Sequence, residues 1–105
     1  MTIVSRQVVE GRQGQGEDER VAYSLTTTPW GTLPSSPVVK IYDITSGART
    51  DVSSTCLSGS ASVVDNVVLT PLVIALTAGR LYRMEIKFVS GGNTFEPYVE
   101  IAAEH

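Results

Sequence analysis

Cysteine is nearly absent from this chain: Cys56 is the only one. An intrachain disulfide is therefore excluded, including the inter-sheet bridge of antibody domains, and the chain suits a reducing compartment. Histidine is equally scarce, and the single one is the terminal His105. A histidine-based catalytic triad would have to be built on the chain end, and a zinc site would have to rely on carboxylates. Cations are few, with Lys plus Arg at 8 against Asp plus Glu at 11 and a formal net charge of −3. Phosphate contacts need clustered positive charge, so nucleic acid is not an expected partner. The basic residues look scattered along the sequence.

Long apolar runs are also missing. No window approaches membrane-spanning length without polar interruption, and Met1-Thr-Ile-Val-Ser lacks the apolar core of a signal peptide. No membrane partner or cofactor is expected. An activated nucleophile with a base in reach is not visible, so the chain is not read as an enzyme.

Apolar residues make up 42% of the 105 residues and charged residues 18%. This is ordinary globular composition, sufficient for one domain over residues 1–105 without metal or disulfide staples. The clearest local signal is period-two alternation. Tyr82, Met84, Ile86 and Phe88 share one face against Arg83, Glu85 and Lys87. After Gly91-Gly92, Phe95, Pro97, Val99 and Ile101 share a face against Glu96, Tyr98 and Glu100. Strands over 81–89 and 94–102 then pair with Val89 opposite Thr94. That register sets Phe88 against Phe95, Met84 against Val99 and Tyr82 against Ile101. It also sets Lys87 against Glu96 and Arg83 against Glu100. A four-residue loop from Ser90 to Asn93 is favoured over a two-residue one. It would place Pro97, which has no N–H, where its nitrogen points away from the partner on an edge strand.

Further strands are expected over 2–9, 20–26, 38–43, 55–63 and 67–76. Glycines at 11, 14 and 16 with Glu17-Asp18-Glu19 read as a flexible surface loop, lacking the Lys-Ser/Thr of a phosphate loop. Asp65-Asn66 is a hairpin turn. Pro71 implies a bulge, an edge position or a break. Trp30, between Pro29 and Gly31, is expected to pack over an open end of the core. About seven short strands over roughly 100 residues predict an all-β protein, a single sandwich rather than an up-and-down barrel.

The spacing Leu76-x-x-Gly79-x-x-Tyr82 resembles the turn before the sixth strand of fibronectin type III and related immunoglobulin-like domains. The resemblance implies a tyrosine corner, with Tyr82 buried and its hydroxyl bonded to upstream backbone. Ala78 stands where that family often has proline. A wider similarity runs through Gly16-Glu-Asp-Glu-Arg-Val-Ala-Tyr-Ser-Leu25, Pro29-Trp30-Gly31, Ser36-Pro-Val-Val-Lys-Ile-Tyr-Asp43 and residues 76–96. There the chain resembles small proteins encoded in tailed-phage and prophage structural gene clusters. It implies an immunoglobulin-like virion or assembly component near the head–tail region. Such a protein would be made in the bacterial cytoplasm and carried into the virion, with other virion proteins or itself as partners. No functional residue is carried over. The alternative is a fibronectin type III-like accessory module binding carbohydrate or peptide.

If the third strand joins the sheet of the 81–89 and 94–102 pair, Tyr42 and Lys40 share its outer face with Arg83, Glu85, Lys87, Glu96, Tyr98 and Glu100. Tyr42, Arg83, Lys87 and Tyr98 are the expected protein-contact residues, because tyrosine buries much area for little entropy.

Overall fold

The alternation over 81–89 builds the central strand of the molecule. The computed structural model describes residues 6–8 and 11–105. In chain order the elements are β1 (Gln13–Gly16), β2 (Val21–Thr26), β3 (Ser35–Asp43), β4 (Thr50–Asp51), α1 (Ser53–Cys56), β5 (Leu57–Ser58), β6 (Ser62–Val64), β7 (Val67–Val73), β8 (Leu81–Ser90), β9 (Asn93–Phe95) and β10 (Tyr98–Glu104). The larger sheet runs β1-β10-β8-β3-β4, with β9 also on β8. The smaller runs β2-β7-β5, with β6 also on β7. Between them lie Ile41, Met84, Phe88 and Ile101 from the larger sheet and Val68 and Val73 from the smaller, all fully buried. Each such side chain contributes about 1.5–3 kcal/mol by leaving water.

This is an all-β sandwich of the immunoglobulin-like type. Strands β2, β7 and β5 take the places of B, E and D, and β3, β8 and β10 those of C, F and G. The short strands divide more finely than the sequence suggests. Of the strand expected over 2–9, residues 2–5 and 9 lie outside the described residues, and Gln7 forms a single parallel bridge with Tyr98.

The glycine-rich segment is a correction. Gln13 to Gly16 form a strand parallel to β10, pairing Gln13 with Ile101 and Gly16 with Glu104. Gln15 is the reason: only 1% exposed, it donates from Nε2 to Val73 O at 2.9 Å and to Glu19 O at 3.2 Å. Tyr23 donates its hydroxyl to Gln15 Oε1 at 2.8 Å. A buried amide with all these partners ties the two sheets together.

The main hairpin has the expected register, with Phe88 opposite Phe95, Met84 opposite Val99 and Tyr82 opposite Ile101. Its loop does not. Ser90 pairs with Asn93, leaving two loop residues, Gly91 and Gly92, with φ of 57° and 81°. Two consecutive positive φ values are the signature of a type I′ turn, whose twist matches the flanking strands. Pro97 therefore falls opposite Ile86 and accepts its N–H at 2.9 Å without one to return. The ladder breaks there, between β9 and β10. Nor is β10 an edge strand, since β1 covers its far side.

The strand expected over 55–63 is also replaced. Asp51 Oδ1 accepts Ser53 N–H at 2.9 Å and starts the single turn of α1. Gly59, at φ 92°, then separates β5 from β6. Pro71 lies in a bulge of β7, between the Ala22–Leu72 and Ser24–Leu69 pairs. Tyr23 N–H finds Thr70 Oγ1 there at 2.9 Å instead of a carbonyl. At the turn into β8, Tyr82 is buried and its hydroxyl accepts Thr77 N–H at 2.9 Å. Leu76 is buried beside it, and Gly79, at φ 86°, donates its N–H to Ala103 O at 3.0 Å.

Candidate contact surfaces

The outer face of the larger sheet is set by register. Tyr42, Arg83 and Glu100 form one row across β3, β8 and β10, and Lys40, Glu85 and Tyr98 the next. Six of the eight cations that look scattered in sequence are gathered here. Arg6 and Arg49 join Lys40, Arg83 and Lys87, and Arg12 pairs with Glu100 at 3.0 Å.

The tyrosines are not displayed as bare rings. The Arg49 guanidinium lies 4.4 Å from the centre of the Tyr42 ring, leaving Tyr42 9% exposed. The Arg83 guanidinium lies 3.8 Å from the Tyr98 ring, and that of Arg6 5.6 Å. Between them Glu85, 7% exposed, holds Oε2 at 3.0 Å from Arg49 Nη1 and 3.1 Å from Arg83 Nε. The first contact is a hydrogen bond. In the second the charges are close but the N–H does not aim at the carboxylate, and Arg83 Nε has no hydrogen-bond partner. Arg83 sits opposite Glu100 as expected, yet its ion pair is with Glu85. Exposed around a groove of about 140 Å³ are Val38, Lys40, Arg49, Lys87 and Glu96, so both signs of charge line it. The arrangement is a stacked cation–aromatic layer, in which Arg49 and Arg83 lie over tyrosine rings and share Glu85.

The outer face of the smaller sheet is of another kind. The pairs Val64–Val67–Thr26, Ser62–Leu69–Ser24 and Ser58–Leu72–Ala22 form its rows. Among the described residues none of its positions carries a charge. Val64 is 57% exposed and Leu69 38%. The serines Ser58, Ser60 and Ser62, which alternate in the sequence, lie across β5, the link after Gly59 and the start of β6. The bulge at Pro71 hides the rest, because it shifts the phase of β7 by one residue.

Trp30 packs against the core and is partly buried. It stands at the rim of a cleft of about 380 Å³ lined also by Tyr23, Leu25, Met84 and Ile86. Val8 and Gln13 bound that cleft on either side of residues 9 and 10, which lie outside the described residues. Among the described residues no group of three or more His, Cys, Asp or Glu side chains could hold a metal ion. Burial, and then the charge of Asp43, push the Cys56 thiol up from its ordinary value. It stays protonated at neutral pH, a poor nucleophile packed 3.8 Å from Ala75 O. No helix among the described residues is long and apolar enough to cross a membrane. Neither the protein-family models nor the curated proteins contain a match to the chain.

Proposed function

We propose that this protein is a non-enzymatic structural or assembly component that works through protein–protein contacts, in the setting of a tailed-phage or prophage structural cluster. The observation that supports it is the outer face of β2, β7, β5 and β6. A sheet face open to water ordinarily alternates in charged residues, yet this one presents Val64, Leu69, Ser and Thr. Such a face suits an apolar partner surface and gives little to a charged small molecule. The phage setting comes from the sequence resemblance over residues 16–25, 29–31, 36–43 and 76–96.

The experiment is to look for the protein in purified particles and then to introduce Leu69→Lys, an outward position. The expected result is that the wild type co-purifies with particles and the folded variant does not. Absence of the wild type from particles, or full retention of the variant, overturns the reading. Capsid, portal or tail genes on either side of its own gene are also expected. A neighbouring secreted enzyme would favour the accessory-module alternative.

A further inference from the structure

Among the described residues the sheet edges are guarded, with one exception. On the larger sheet β4 is two residues long, and Pro37 interrupts β3 beyond it. At the opposite edge Gly16, on β1, donates its N–H at 2.7 Å to Oε1 of Glu19, which closes that end of the strand. On the smaller sheet β5 and β6 have two and three residues. β2 is different: a six-residue edge, Val-Ala-Tyr-Ser-Leu-Thr, with neither a proline nor a charge. Exposed edges ordinarily carry one or the other, because unpaired backbone invites another strand.

The register shows which backbone groups are unpaired. Thr27 donates its N–H to Asn66 O at 2.8 Å, and Tyr23 donates its own to Thr70 Oγ1 at 2.9 Å. Leu25, opposite Val68, lies between them in the same phase. These three turn their backbone polar groups toward β7, so Ser24 and Thr26 turn theirs to the open side. Neither backbone has a hydrogen bond there among the described residues. The same edge borders the cleft of about 380 Å³, which Ser24 and Thr26 help to line. On this side the larger sheet continues over β10 to β1, while the smaller stops at β2. Leu25, Met84, Ile86 and Val99 make the cleft apolar, and none of its described lining residues carries a charge.

We propose that the free edge of β2 takes an extended, uncharged segment of a partner protein as an added strand, with its alternate apolar side chains lowered into the cleft. The site makes two demands at once. A row of backbone donors and acceptors needs a partner of the same spacing, and the cleft beside it needs apolar side chains at every second position. An extended strand meets both, whereas a helix or a compact apolar molecule meets only the second. Hydrogen bonds to Ser24 and Thr26 hold the segment, and the cleft selects its side chains. Because the lining is uncharged, a charged residue at an inward position of the segment is rejected. This edge is distinct from the outer face of the same sheet, and its occupancy does not depend on the phage setting.

The probe is a capped peptide, Lys-Thr-Val-Thr-Val-Thr-Val-Lys, and the readout is amide hydrogen exchange of the full chain followed by NMR. In the free protein the Ser24 and Thr26 amides should exchange at least about a hundredfold faster than those of Leu25 and Thr27. A peptide binding with Kd about 0.1 mM, added at about 1 mM, should slow exchange at Ser24 and Thr26 about tenfold by mass action. A peptide with Lys in place of its central Val should give no such protection. Methylating the backbone nitrogens of the valines, or instead those of the threonines, should abolish binding in one case and spare it in the other, because only one set faces β2. A peptide that merely fills the cleft protects neither amide and tolerates both methylations. Absence of protection, or equal binding of the two methylated peptides, overturns the proposal. Protection of Ser24 and Thr26 in the free chain would mean that the protein covers its own edge, and overturns it as well.

Discussion

Single residues settle several local choices. Gly31 has no room for a side chain: a Cβ there would lie 2.7 Å from Ser90 Cβ and 2.3 Å from its Oγ. The hydroxyl could swing aside only by giving up its 2.6 Å bond to Thr32 O, and the Cβ cannot move without β8. Gly31→Ala is therefore expected to destabilise by about 1–3 kcal/mol, and Ser90→Gly in the same chain should recover part of that. Chemical denaturation of the two variants checks both statements. Tyr42 is a second case. Because Arg49 covers its ring, Tyr42→Ser removes a buried aromatic, and a loss of about 2–4 kcal/mol is expected before any effect on association. Tyr98→Ser, at a half-buried ring, should cost less. If both variants melt with the wild type, the stacked layer contributes nothing to the fold.

At the scale of elements, prolines mark where the ladders stop. Pro37 lies in the register shift of β3 between Ser35 and Val38, Pro71 in the bulge of β7, and Pro97 between β9 and β10. Each lacks the N–H that a continuous ladder needs, so each sits at an interruption. Pro37 also blunts β3 beyond β4, where an unpaired edge would invite another strand. The register of the main hairpin was legible because alternation and opposite charges agreed. Its loop was misread because avoiding a proline gap was weighed above two glycines suited to a type I′ turn. β1 was invisible for a plainer reason: Gln-Gly-Gln-Gly has no apolar alternation, and its burial depends on one amide finding partners on the other sheet. The uncharged face of the smaller sheet depends on the β7 bulge in the same way. The turn offers a test. Gly91→Asn should be neutral or stabilise by a few tenths of a kcal/mol, because Asn-Gly is the preferred type I′ pair, whereas Gly92→Val should cost about 1 kcal/mol or more. Equal melting temperatures for the two would argue against the two-residue loop.

For the molecule as a whole, titration sets the pH range over which the sandwich is most stable. Burial raises Asp43, but hydrogen bonds from Arg80 and Thr45 outweigh it and hold the carboxyl below its ordinary 3.8. The hydrogen bond from Ser53 does the same for Asp51. A carboxyl depressed in the folded state binds protons more readily when unfolded. Its stabilisation is complete above 3.8 and is lost as pH falls through the lower folded value. Asp51 is exposed and contributes under about 1 kcal/mol; the Asp43 side chain, mostly covered beside Arg80, is the more strongly held of the two. Cys56 and Tyr23 act at the other limit. Burial first, and then Asp43 and Glu19 respectively, raise them above 9.0 and 10.0. The unfolded chain then loses these protons first, so their contribution is full below 9.0 and 10.0 and disappears as pH rises through the folded values. Melting temperature followed by circular dichroism should therefore show a plateau from about pH 4 to about pH 9, with a fall on each side. Cys56→Ala should move the alkaline fall to higher pH even if the cavity lowers the plateau. Asp43→Asn should flatten the start of the acid fall. An alkaline limb unchanged in Cys56→Ala would show that the thiol does not set it.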